Sequence, residues 1–78
     1  TSSGAEIDLV LLFPDQSKIA IEIKRSPRPK LSKGFYNSQQ DIEPRHSYVV
    51  TPEEKVFPVD EQTTQIGLYG MIELLREM

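Results

Sequence analysis

Three side chains in this sequence have types and spacings that suit a common chemistry: Asp8, then Glu22 and Lys24 with one residue between them. Carboxylate oxygens are what a hard cation such as Mg²⁺ takes, usually one or two from the protein and the rest from water and phosphate. A lysine beside such an ion would orient an attacking water or stabilise negative charge developing on a phosphate. The chemistry requires all three on one surface, so the question passes to the backbone between them.

That backbone reads as a β-hairpin of two apolar runs, residues 6–13 and 18–25, joined by Pro14-Asp15-Gln16-Ser17. In the second run Ile19, Ile21 and Ile23 alternate with Lys18, Ala20, Glu22 and Lys24. In the first, Ile7, Leu9, Leu11 and Phe13 share a face, with Glu6, Asp8, Val10 and Leu12 opposite. A slip of one residue would turn a whole apolar set outward, so the two apolar faces coincide and Asp8, Glu22 and Lys24 meet on the other. Setting Asp8 level with Glu22 takes a three-residue loop, and level with Lys24 a five-residue one. Four turn residues therefore predict a bulge or a longer turn.

Asp8 followed by Glu22-Ile23-Lys24 on the next strand resembles the active-site pattern of the PD-(D/E)xK nuclease superfamily. The longer wording Gly4-Ala5-Glu6-Ile7-Asp8-Leu9-Val10, then Ile21-Glu22-Ile23-Lys24-Arg25-Ser26 and Lys33-Gly34-Phe35, resembles one family more narrowly. That family is the nuclease-like C-terminal domain of uncharacterised prokaryotic AAA-type ATPases, and the resemblance runs over roughly residues 3–52. It implies a restriction-endonuclease-like core, Mg²⁺ or Mn²⁺ held by Asp8 and Glu22, and Lys24 acting in phosphodiester hydrolysis on DNA. It also implies that Gln39 or Gln40 points at the site, as a helix glutamine or lysine does in many relatives; the alternative for both is solvated helix surface. The literal Pro14-Asp15 is a decoy. It sits in the turn, roughly 15–20 Å from Glu22 along the strand, too far to share a metal, and is turn chemistry.

The superfamily core normally begins with a helix and a further strand, the helix often supplying another metal-binding Glu, and this sequence is expected to lack both. Three expectations follow from that difference. Metal binding is weaker than in a complete domain; strand 6–13 keeps an open edge that invites pairing with a second copy; and the fragment alone is inactive as an enzyme. The chain starts almost inside its first strand, at Thr1-Ser2-Ser3-Gly4, and is expected to be a C-terminal piece of a longer ATPase, forming one domain over residues 1–78.

The remaining sequence narrows the partners. With no cysteine, disulfides and thiolate metal sites are excluded. No signal peptide or membrane-spanning run is evident, so the expected setting is cytoplasmic and without a membrane partner. A net charge of −3 argues against an indiscriminate nucleic-acid binder, but the charge is uneven: residues 1–39 carry six basic and four acidic side chains, residues 40–78 three and eight. Lys24, Arg25, Arg28, Lys30 and Lys33 follow one another with no acid between them. They form either a phosphate-facing strip beside the carboxylates, with Arg25, Arg28, Lys30 and Lys33 as nucleic-acid contacts, or an ordinary solvated loop.

Ser26-Pro27-Arg28-Pro29 ends the second strand, because proline has no donor for the ladder. Ser32 reads as an N-cap for a helix to about residue 43, with a thin apolar face of Phe35, Tyr36 and Ile42 and a stop at Pro44. His46-Ser47-Tyr48-Val49-Val50-Thr51 is a third strand, expected over 47–51 parallel to 18–25 as a βαβ unit. His46, the single histidine, is read as solvated or capping. Residues 53–64 look turn-like, with Val56, Phe57 and Val59 a small apolar plug around Pro58. A short strand at 65–68 and an amphipathic helix at 69–77 close the chain, with its Leu/Met stripe as core. Nucleotide-binding glycine fingerprints, zinc spacings and a nucleophile–histidine pair are all absent. The fold class is therefore α/β: a mixed sheet of three to four strands flanked by two helices. Two functions stay open, a metal-dependent nuclease and a non-catalytic interaction or oligomerisation module that keeps the nuclease fold.

Overall fold

Strict alternation in Lys18–Ile23 makes the strand on which the sheet is built. The computed structural model describes residues 7–78. It contains β1 (Leu9–Leu12), β2 (Lys18–Ile23), α1 (Lys33–Ile42), β3 (His46–Thr51), β4 (Phe57–Asp60), β5 (Thr63–Gly67) and α2 (Leu68–Arg76). The five strands form one sheet in the order β1-β2-β3-β5-β4. β1 runs antiparallel to β2, β3 is parallel to both β2 and β5, and β4 is antiparallel to β5. The α/β mixed sheet with two helices stands, as does the parallel β2-α1-β3 unit.

The hairpin turns through Pro14-Asp15-Gln16. Phe13 N–H donates to the Ser17 carbonyl (2.9 Å) and Gln16 N–H to the Phe13 carbonyl (2.9 Å). Gln16 takes a positive φ of 75°, the left-handed residue that ends a three-residue hairpin loop with a bulge. Asp15 stays in the turn, where its Oδ1 accepts from the backbone N–H (2.9 Å) and the hydroxyl (2.6 Å) of Ser17. The decoy reading of Pro14-Asp15 is consistent with that placement.

One face of the sheet packs on α2. Ile19, Ile21, Val50 and Ile66 meet Met71 there, with Leu11, Phe13, Tyr48, Leu74 and Leu75 packed around them. The other face carries α1. Ser32 caps its start, its Oγ accepting from the Phe35 N–H (3.1 Å), and Glu43 ends it in the left-handed region at φ 56° just before Pro44. Lys18 reaches from β2 to the Ile42 carbonyl (3.1 Å), setting a cation on the negative end of the helix.

Several boundaries differ from the sequence reading. The first strand begins at Leu9, and the expected start at Glu6 lies outside the described residues. Residues 57–60 are a strand, not turn: Phe57 pairs with Gln65 and Pro58 with Thr64, with a register shift before Asp60. All four positions are exposed, so no burial pattern announced it, and proline is tolerated because β4 is an edge. The strand expected at 65–68 runs from Thr63 to Gly67, giving five strands where three or four were expected. The buried residues of α1 are Phe35, Ser38 and Gln39, while Tyr36 is exposed.

Candidate functional site

The β1–β2 pairing ends with Leu9 opposite Ile21, and Asp8 lies one residue beyond it. Asp8 N–H donates to the Ile21 carbonyl (3.0 Å), so the ladder reaches it. On the next rung the ladder changes: Ile23 N–H donates to Oδ2 of the Asp8 side chain (2.8 Å) in place of a backbone carbonyl. The carboxylate is thereby clamped onto β2, aimed at Glu22. Glu22 is buried at 4 % exposure. Two residues further, Lys24 N–H bonds the Val50 carbonyl (2.9 Å), which keeps its side chain on the Glu22 face. Lys24 Nζ stands 3.6 Å from Glu22 Oε2. The alternation thus brings Asp8, Glu22 and Lys24 together as the pattern required.

The carboxyl of Asp8 is held below its ordinary value, first by a hydrogen bond with the Glu22 carboxyl, then by the Ile23 N–H; partial burial opposes this and Lys24 adds to it. Two carboxylates set this close repel unless a positive charge stands beside them, and Lys24 Nζ is 3.6 Å from Glu22. A donor set of two carboxylates also fits a divalent cation that takes its remaining ligands from water and phosphate. Among the described residues no group of three or more His, Cys, Asp or Glu side chains that could hold a metal gathers.

The basic residues are divided by the loop that carries them. Arg25, Arg28, Lys30 and Lys33 are all exposed. Arg25 lines a shallow groove with Lys24, Pro52 and Leu68, whereas Arg28 lines a separate one against β4. Gln65 Nε2 donates to the Pro27 carbonyl (2.9 Å) and ties the loop across the sheet.

Gln39 and Gln40 part company. Gln40 is exposed. Gln39 is buried, against the solvated reading, and its Nε2 donates to Ser47 Oγ (2.8 Å) and Thr63 Oγ1 (3.0 Å). Ser47 lies level with Ala20, one side-chain step from Glu22 along the same face. His46 is half-buried, its Nε2 paired with Thr64 Oγ1 (2.7 Å) and its ring against Tyr48, and burial holds its pKa below the usual histidine value. It sits on the α2 face, away from the carboxylates.

Fold and site together describe a small mixed α/β sheet with a carboxylate pair and a lysine clamped where its antiparallel hairpin meets its parallel strands. A family model described as DUF4143, a domain of unknown function, matches residues 1–70, and the chain belongs to that family. No curated protein and no solved structure matches it. Among the described residues no helix is long and apolar enough to cross a membrane.

Proposed function

We propose that this domain is the nuclease-like C-terminal module of a prokaryotic AAA-type ATPase, hydrolysing phosphodiester bonds of DNA in the cytoplasm with Mg²⁺ or Mn²⁺. The observation that carries the reading is the Asp8–Glu22 carboxylate pair on one face of the hairpin, with Lys24 Nζ 3.6 Å from Glu22. Asp8 and Glu22 would hold the metal, which supplies Lewis-acid activation of a phosphoryl oxygen when bound. The Ile23 N–H fixes the Asp8 carboxylate in direction. Lys24 places a positive charge where the phosphate gains negative charge, and the low dielectric around buried Glu22 makes that charge more effective than in water. The resemblance of Asp8, Glu22 and Lys24 to the PD-(D/E)xK pattern supports the same reading, including a restriction-endonuclease-like core.

The second reading is an interaction module, favoured by the outer edge of β1. Leu9, Val10 and Leu12 are exposed there, 64 % for Leu12, and an edge strand with apolar side chains is a template for a second copy or for the rest of the parent chain.

Thermal melting during Mn²⁺ titration separates the two. A ligand that binds only the folded state raises the melting temperature with concentration. The nuclease reading expects a saturable rise that Asp8→Ala and Glu22→Gln abolish, and full-length protein that cuts DNA but loses cutting on Lys24→Ala. Cutting that survives Glu22→Gln unchanged would remove these residues from the chemistry.

A further inference from the structure

Across the sheet the pairing ladder links Glu22 to Val49, Val49 to Gln65, and Gln65 to Phe57. Paired residues share a face, so Phe57 projects from the same side of the sheet as Glu22, three strand spacings or roughly 14 Å away. The loop after β2 passes over this row, tied to it by the Gln65–Pro27 hydrogen bond. Between that loop and β4 lies a groove of about 530 Å³, within the range that accepts a small organic ligand.

The groove has a floor and walls of different chemistry. Phe57, 39 % exposed, lines it together with Val59 and Pro29. Arg28 and Lys55 stand on its walls. Glu53 also lines it, paired with Lys55 at 3.2 Å. Two prolines in the loop, Pro27 and Pro29, restrict its backbone, so the opening is largely preformed. An aromatic face flanked by cations is the combination that holds unpaired bases, since stacking needs an exposed base plane and the cations follow the phosphates. A duplex keeps its base planes covered and offers nothing to Phe57.

We propose that this groove seats a base and the adjoining phosphate of single-stranded DNA, a few nucleotides from the Asp8–Glu22 pair. The base stacks on Phe57; Arg28 and Lys55 neutralise phosphate oxygens, Lys55 exchanging Glu53 for the nucleic acid. The inference deepens the nuclease reading and rests on it, giving the substrate as a single strand.

The test is binding of a fluorescent oligothymidine to the full-length protein in EDTA, so that no cleavage occurs and the carboxylate site is not engaged by metal. Phe57→Ala should weaken binding roughly ten- to hundredfold, the loss expected when one base–aromatic stack is removed. Phe57→Trp should bind at least as tightly as wild type, which a purely packing role for an exposed side chain does not predict. Glu53→Gln should tighten binding about two- to threefold by freeing Lys55, and Arg28→Ala should flatten the salt dependence by about one phosphate contact. Wild-type binding by Phe57→Ala with an unchanged melting temperature overturns the proposal, as does equal affinity for a duplex of the same length. If Phe57→Ala binds normally while Asp8→Ala stops cleavage, the groove fails and the nuclease reading stands. Loss of binding in Phe57→Ala by a protein that never cuts DNA gives the reverse.

Discussion

The two faces of the sheet are made of different material. Toward α2 the buried side chains are hydrocarbon: Ile19, Ile21, Val50 and Ile66 on Met71. Toward α1 the buried residues include Glu22, Ser38, Gln39, Ser47, Thr51, Thr63 and Gln65, with Ala20, Phe35 and Val49 among them. Buried polar groups are tolerated only when paired, and among the described residues no buried side-chain polar atom lacks a partner. The comparison teaches a division of labour: one face supplies cohesion, while the other uses hydrogen bonds to hold polar groups in fixed directions, Glu22 among them.

The largest break in that comparison comes on the apolar side. Ile21→Ala removes a branched side chain at 3 % exposure and should cost about 2–5 kcal/mol, read as a lowered urea midpoint. In a domain of 78 residues a loss of that size unfolds much of the population.

A smaller break lies on the polar side and depends on which partners remain. Gln39→Leu leaves the hydroxyls of Ser47 and Thr63 without their donor and should cost about 1–3 kcal/mol. Replacing all three together, Gln39→Leu with Ser47→Ala and Thr63→Val, should recover most of that loss, since no polar group is then stranded. A triple variant no more stable than the single one would show that the cluster does not act as a hydrogen-bonded unit.

The smallest effect sharpens the comparison through pH. The carboxyl of Asp8 is held below the ordinary aspartate value in the folded protein by Glu22 and the Ile23 N–H. A depressed carboxyl contributes stability that is fully present above its unfolded value and is lost as pH falls through the folded value. Asp8→Asn should therefore cost less than about 1 kcal/mol at neutral pH, because Asp8 is largely exposed. The difference from wild type should vanish once pH falls through that lowered folded-state value, measured as parallel melting curves. A gap that persists in strong acid would mean the ionised form of Asp8 is not what the fold stabilises.

The sequence made the hairpin and its carboxylate face legible because alternation is a local pattern and the turn residues bracket it. β4 was not legible: Phe57-Pro58-Val59-Asp60 is short, contains a proline and is exposed throughout, and its pairing with β5 is what makes it a strand. Gln39 resembled any helix-surface glutamine, since its partners Ser47 and Thr63 stand 8 and 24 residues away. The start of α2 hid a similar long-range dependence. Gly67 offers it no side-chain cap, so Glu54 supplies one from the preceding loop, its Oε1 accepting from the Tyr69 N–H (3.2 Å). A Cβ at Gly67 would collide with Glu54, including its backbone Cα at 2.7 Å. Gly67 is required by the residue that caps the helix.

Pro58 has a further consequence for stoichiometry. A sheet grows into a fibre when each copy presents two complementary rims, so that every addition exposes another. In this chain β4 carries a proline without an N–H and a register shift at Pro58/Asp60, which spoils one rim. β1 is the other terminal strand, and among the described residues its outer side has no neighbour. Among the described residues, two copies joined β1 to β1 would use up the rim still able to propagate, leaving a spoiled one at each end. Sheet extension through a β1–β1 contact, if it forms as proposed, would stop at two copies.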